Sequence, residues 1–184
     1  MAAASGLQFI RAEGFVFSHV ADEGWMDACA GPLLRYRKSI GMEDKVAVVC
    51  DIKKKHSAHA VTGDVDIVET AKAARFFRSD GVIVTGASTG HEASPGELQA
   101  VLAGVPDLPV LVGSGVSAAN LKSYRSLKTN TKEFLNTYLT IFREAHSLII
   151  GSEFKVGGDW NNEIEMDRVM AVMEEARRCR ALSM

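Results

Sequence analysis

Val46-Ala-Val-Val-Cys-Asp51-Ile-Lys-Lys-Lys-His56 is the stretch on which the fold turns. It runs apolar without interruption to Cys50, and then an acid and three lysines arrive together. A half-exposed antiparallel strand would alternate apolar and polar residues. An unbroken apolar run fits a strand buried on both faces, as in a parallel sheet. Four more β-branched runs accompany it: Gln8–Phe17, Gly81–Thr85, Val110–Val112 and Ser147–Ile150. Helical periodicities fill the intervals. Gly24–Ser39 spaces Trp25, Cys29, Leu33 and Tyr36 by three and four, and Asp64–Phe77 does the same with Ile67, Ala71 and Ala74. Glu97–Leu102 gives a short helix, and Ser117 is placed to cap a helix over Ser117–Tyr124. Asn162-x-x-Glu165 resembles a capping box ahead of Glu163–Cys179. This alternation predicts an α/β fold with five parallel strands. No repeat or linker divides the chain, so residues 1–184 are expected to form a single domain. Arg125–Arg143, with Phe134, Tyr138, Ile141 and Phe142, is out of rhythm, which predicts a helical insertion over 125–143.

Composition narrows the function classes. The 184 residues carry 21 basic and 23 acidic side chains for a net charge of -2, which lacks the basic footprint of a nucleic-acid or membrane-surface protein. No apolar stretch reaches the ~18 residues a membrane span needs. The three cysteines show no paired spacing and point to a reducing compartment. Met1-Ala-Ala-Ala-Ser5 lacks the features of a signal peptide. A soluble, intracellular, cytoplasmic protein is expected.

Ligands of parallel sheets gather beyond the carboxyl ends of the strands, so those ends carry the candidate chemistry. The first ends Arg11-Ala-Glu13-Gly14, with Arg11 and Glu13 on one face; an ion pair and a substrate role both remain open. The second ends Asp51-Ile-Lys53-Lys54-Lys55-His56, where strand parity would aim Asp51, Lys53 and Lys55 at one anionic ligand. His56-x-x-His59 fixes no third ligand, so no metal is assigned. A divalent metal would need Glu13, Asp51, His19 or His91 to converge there. The third strand ends Thr85-Gly86-Ala-Ser88-Thr89-Gly90-His91, glycines and hydroxyls that let backbone amides approach an anion. The fourth ends Gly113-Ser114-Gly115-Val-Ser117-Ala118, which matches a G-x-G-x-x-G/A spacing before a helix. It comes late in the chain, with no acid about 20 residues on, which disfavours a dinucleotide fold. The fifth ends Gly151-Ser152. Two successive Gly-Ser loops resemble the phosphate site after strands 7 and 8 of (β/α)8 barrels.

Phe9-Ile-Arg11-Ala-Glu13, Leu34-Arg-Tyr36-Arg37, Asp51 to Ser57, Val84-Thr85-Gly86 with Thr89-Gly90, Val112 to Val116, and Ile150-Gly151-Ser152-x-Phe-Lys155 together resemble the BtpA family. The bacterial namesake of that family is tied to photosystem I biogenesis. The resemblance implies a phosphate-binding (β/α)8 barrel with no firmly assigned reaction. It covers the C-terminal portion of such a barrel, so the five strands would be strands 4 to 8 and the chain a truncated isoform or fragment. Open sheet edges and an exposed inner face are then expected, and with them homo-oligomers. A mitochondrial address is the alternative to the cytoplasm, if a targeting segment belongs to the missing part.

The expected function is binding or transformation of a small phosphorylated metabolite, a sugar or nucleoside phosphate. Gly113, Ser114, Gly115, Gly151 and Ser152 would hold the phosphate through backbone amides. Asp51, Lys55, His56 and Glu13 would supply catalytic groups. Arg11, Lys53, Thr85, Gly86, Thr89 and Gly90 would line the pocket. The alternative is a non-catalytic assembly or stability factor, told apart by a metabolite screen for turnover.

Overall fold

The structure, a computed structural model, describes residues 1–121 and 147–181. The helical insertion expected over 125–143 lies outside the described residues. Four strands form a parallel sheet in the order β1-β4-β6-β7: β1 Phe9–Ala12, β4 Ala47–Asp51, β6 Gly81–Val84 and β7 Val110–Val112. The fifth apolar run contributes one parallel bridge, Val112 to Leu148. Two backbone bonds hold it: Val112 N–H to the Ser147 carbonyl (3.0 Å) and Ile149 N–H to the Val112 carbonyl (2.8 Å).

Three short strands, absent from the sequence-based expectation, build a second, antiparallel sheet in the order β3-β2-β5. They are β2 His19–Ala21, β3 Gly24–Met26 and β5 Ser57–Ala58, taken from the segments that follow β1 and β4. Gly24 at φ 113° closes the β2–β3 hairpin, so the first residues of the expected Gly24–Ser39 helix are extended. The helix itself, α1, is Ala30–Ser39. Trp25 is therefore a strand residue opposite Val20, not part of a helical face.

The other helices follow their caps. In α2, Ile67–Phe76, the Asp66 carboxylate accepts the Glu69 N–H at 2.7 Å. In α3, Pro95–Gly104, Ser94 caps and Pro95 fills the first turn, where its missing N–H costs nothing. Ser117 and Asn120 pair reciprocally, with Ser117 N–H donating to Asn120 Oδ1 and Asn120 N–H to Ser117 Oγ. Beyond Leu121 the helix expected over Ser117–Tyr124 lies outside the described residues. The Asn162-x-x-Glu165 capping box does not form. Asn162 Nδ2 donates to the Val156 carbonyl instead, and the last helix, α4, is Met166–Ala181.

Strand alternation sorts the core. Ala12, Val48, Cys50, Val82, Val84, Val110 and Val112 face the helices, against Ala71, Ala74, Leu98 and Val101. Each buried valine contributes about 1.5–3 kcal/mol of transfer free energy. On the opposite face Val49, Ile83 and Leu111 are 1%, 0% and 3% exposed, so the apolar patch expected there is closed. Gly81 sits on this face, where a Cβ would press on the Pro109 carbonyl at 3.1 Å and reach Val49 and Leu111 only at ordinary contact distance. Among the described residues nothing pairs with the outer edge of β1, where Leu7 and Phe9 are exposed.

Candidate functional site

Arg11 leaves β1 and Asp51 leaves β4 on the same face, and they meet in a two-pronged ion pair. Arg11 Nε donates to Asp51 Oδ2 and Nη2 to Oδ1, both at 2.7 Å. The Asp51 side chain is 0% exposed and that of Arg11 31%. Burial pushes the Asp51 carboxyl above its ordinary value, against the pull of the guanidinium, and the bond to Asp51 raises Arg11 in turn. Among the described residues Nη1 of Arg11 has no acceptor.

The lysine run does not keep strand parity, because β4 ends at Asp51. Lys53 at φ 46° and His56 at φ 55° turn the backbone left-handed. Lys53 Nζ donates to the Thr62 carbonyl (2.7 Å) and hydroxyl (3.1 Å), away from Asp51. Lys54, which the parity argument passed over, is buried and ion-paired to Glu13 at 2.8 Å. That bond holds the Glu13 carboxyl below its ordinary value. Lys55 keeps the expected direction, with Nζ 3.3 Å from Thr89 Oγ1, and His56 Nε2 lies 2.9 Å from the same hydroxyl. His59 faces the Lys54 carbonyl instead, so the two histidines part. Among the described residues no three His, Cys, Asp or Glu side chains gather as a metal site.

One cleft of about 430 Å³ collects most of the remaining candidates. Arg11, Lys55, Thr89, Gly90, Gly113, Ser114, Gly115, Gly151 and Ser152 line it, and so do Glu153, Lys155 and Trp160, which sequence reasoning did not assign to a site. Lys55 makes no ion pair among the described residues, and burial together with the charge of Arg11 lowers its ammonium. Not every glycine serves the cleft. The Gly113 N–H is spent on the Val84 carbonyl (2.9 Å), and the Ser114 hydroxyl donates to the His91 carbonyl (2.8 Å). The amides of Ser114, Gly115, Val116, Gly151 and Ser152 have no acceptor among the described residues. Gly86 and Gly115 are both pressed against the His91–Glu92 backbone. Thr85 is buried, its hydroxyl accepting the Lys55 N–H at 3.1 Å. Cys50 is buried, and its thiol is pushed up to about 12, which leaves it inert at neutral pH.

A much smaller cavity lies beside Glu13, Lys54, His19 and His59. His19 is 4% exposed, its Nε2 has no partner among the described residues, and its ring centroid is 5.3 Å from that of His59. Burial pushes this imidazole below 6.5; the hydrogen bond to the Phe17 carbonyl opposes the shift, His59 and Lys54 add to it, and Glu13 pulls more weakly the other way. The unfolded chain accepts a proton that the folded one resists. Stability from His19 is thus complete above 6.5 and is lost as pH falls toward the depressed folded value. Thermal melts should show Tm falling as pH drops below the ordinary histidine value of 6.5, and His19→Phe should flatten that slope. An unchanged slope in the variant would exclude His19 as the source.

The BtpA family's sequence model matches residues 1–178, nearly the whole chain. The chain belongs to the BtpA family. This BtpA-family chain is 49% identical over 92% of its length to an uncharacterized mitochondrial protein of Caenorhabditis elegans, covering 54% of that protein. It is 30% identical over 91% of its length to an uncharacterized protein of Pyrococcus furiosus, covering 55%. It is also 26% identical over 95% of its length to the photosystem I biogenesis protein BtpA of Synechocystis, covering 54%. The chain thus spans about half the length of the curated relatives it matches. No helix among the described residues is long and apolar enough to cross a membrane.

Proposed function

We propose that the cleft binds the phosphate of a small phosphorylated metabolite, between Ser114–Val116 on one side and Gly151–Ser152 on the other. The observation that carries this reading is the Lys55 ammonium, without an ion-pair partner among the described residues, in a cleft lined by residues whose amides have no acceptor among them either. A dianion would accept from the amides, from Lys55 and from Arg11 Nη1. Asp51 then acts as a positioning residue that aims Arg11. Lys55 and His56, which share the Thr89 hydroxyl, are assigned proton transfer on the bound metabolite. The four parallel strands, with the Ser147–Ile150 run bridged to β7 as the fifth, are read as strands 4 to 8 of a (β/α)8 barrel, in which a neighbouring strand would cover the free edge of β1.

The test is an anion-soaked crystal structure with a parallel phosphate titration by calorimetry. Phosphate or sulfate should lie between the two glycine loops. Density only at Lys53, whose amine is already held by Thr62, would sink the assignment. Lys55→Met should weaken phosphate binding about tenfold, the loss of one charge-assisted hydrogen bond at about 1.5 kcal/mol.

A further inference from the structure

Trp160 is 64% exposed on the wall of the cleft, and its indole N–H has no acceptor among the described residues. Trp25, the other tryptophan, is also exposed but donates to Asp27 Oδ1 at 2.9 Å. Packing therefore gives no reason for Trp160 to be aromatic. Its position is nevertheless fixed. The Val156 N–H donates to the Glu163 carbonyl (3.0 Å), the Glu165 N–H to the Phe154 carbonyl (2.8 Å), and Lys155 bridges Ile164. Asp159 Oδ1 accepts the Asn161 N–H at 2.9 Å, closing the backbone turn at Trp160. Arg168 of α4 ties down the near end, with Nε on the Glu153 carbonyl (2.7 Å) and Nη2 on Glu153 Oε2 (2.9 Å). Glu153 Oε1 has no partner among the described residues, and Glu153 lines the same cleft as Trp160.

An exposed aromatic face and a carboxylate lining one cleft with a cradle of amides are a set of groups suited to a sugar ring. The C–H face stacks on indole and the hydroxyls donate to the carboxylate. Resting on the phosphate reading above, we infer that the ligand is a cyclic sugar phosphate, its ring on Trp160 and its hydroxyls on Glu153. Lys155 lines the same cleft and brings a third cation to it, after Lys55 and Arg11.

Trp25→Phe leaves Trp160 as the sole tryptophan reporter. Titrations of this variant with inorganic phosphate, ribose 5-phosphate, glucose 6-phosphate and uridine 5′-monophosphate separate the parts. A sugar phosphate should bind at least tenfold tighter than inorganic phosphate and shift the Trp160 emission. Trp160→Ala should bring the ratio of the two affinities to about one, and Glu153→Gln should lower it several-fold. Sugar phosphates no tighter than phosphate, an unchanged ratio in Trp160→Ala, or preference for the nucleotide alone would each overturn the inference while leaving the phosphate reading intact. Phosphate and sugar phosphates that all fail to bind would overturn both.

Discussion

Asp51→Asn is expected to destabilise the protein by about 2–3 kcal/mol, a Tm loss on the order of 5–10 °C for a chain of this size. The substitution preserves shape and removes one charge. An amide can still accept from one Arg11 nitrogen, but its NH2 then faces the other donor. The guanidinium, two-thirds buried, is left with an unbalanced charge. Replacing both partners with apolar residues, Arg11→Met with Asp51→Leu, should recover most of the loss, because the cost lies in the orphaned charge. Urea melts of the two single variants and the double variant give the coupling energy directly. A loss under about 0.5 kcal/mol for Asp51→Asn would remove the ion pair from the account of stability. The same variant should also weaken phosphate binding, since an unpaired Arg11 swings free of the cleft. A variant that melts normally yet fails to bind would place Asp51 in direct contact with the ligand.

The sheet was legible because its information is local. Val48, Cys50, Val82 and Val84 must be apolar to pack under helices, and Val49 and Ile83 must be apolar on the other face, so the runs are unbroken. The small antiparallel sheet was not legible. Its strands are two or three residues long, too short for any period, and they pair only because two separate loops meet. Parity carried the right answer to Asp51 and failed two residues later. Nothing in Lys53-Lys54-Lys55 signals a left-handed turn, a conformation ordinarily left to Gly, Asn or Asp. Lys54 was missed for that reason. Trp160 carried a faint signal, an aromatic set between Asp159 and Asn161-Asn162 in a turn-forming segment. Its place in the cleft depends on Arg168, fifteen residues from Glu153, which no local pattern announces.

Three glycines in the candidate phosphate loops should respond to alanine in a graded order, because their reasons for being glycine differ. Gly151 has an ordinary negative φ and nothing within 4 Å of an added Cβ, so Gly151→Ala should leave stability within about 0.5 kcal/mol. Gly90 sits at φ 82° in open space, so Gly90→Ala should cost about 1–2 kcal/mol for the left-handed backbone alone. Gly115 combines φ 66° with a Cβ position already occupied by the Glu92 backbone. Backbone cannot yield as a flexible side chain can, so Gly115→Ala should cost about 3 kcal/mol or more and displace the Ser88–Glu92 loop. Phosphate titration then inverts part of the order. Gly151→Ala puts a methyl into the cleft of a fully stable protein and should weaken binding at least as much as Lys55→Met. Gly90→Ala should weaken it less. If Gly151→Ala binds phosphate normally, the amides beyond that residue do not face the anion, and the cradle reduces to Ser114–Val116 with Lys55. If Gly115→Ala is as stable as the parent, the Glu92 backbone is not where this geometry puts it. The shared contact of Gly86 and Gly115 with His91–Glu92 then falls, and the physical reason for a glycine at either position falls with it.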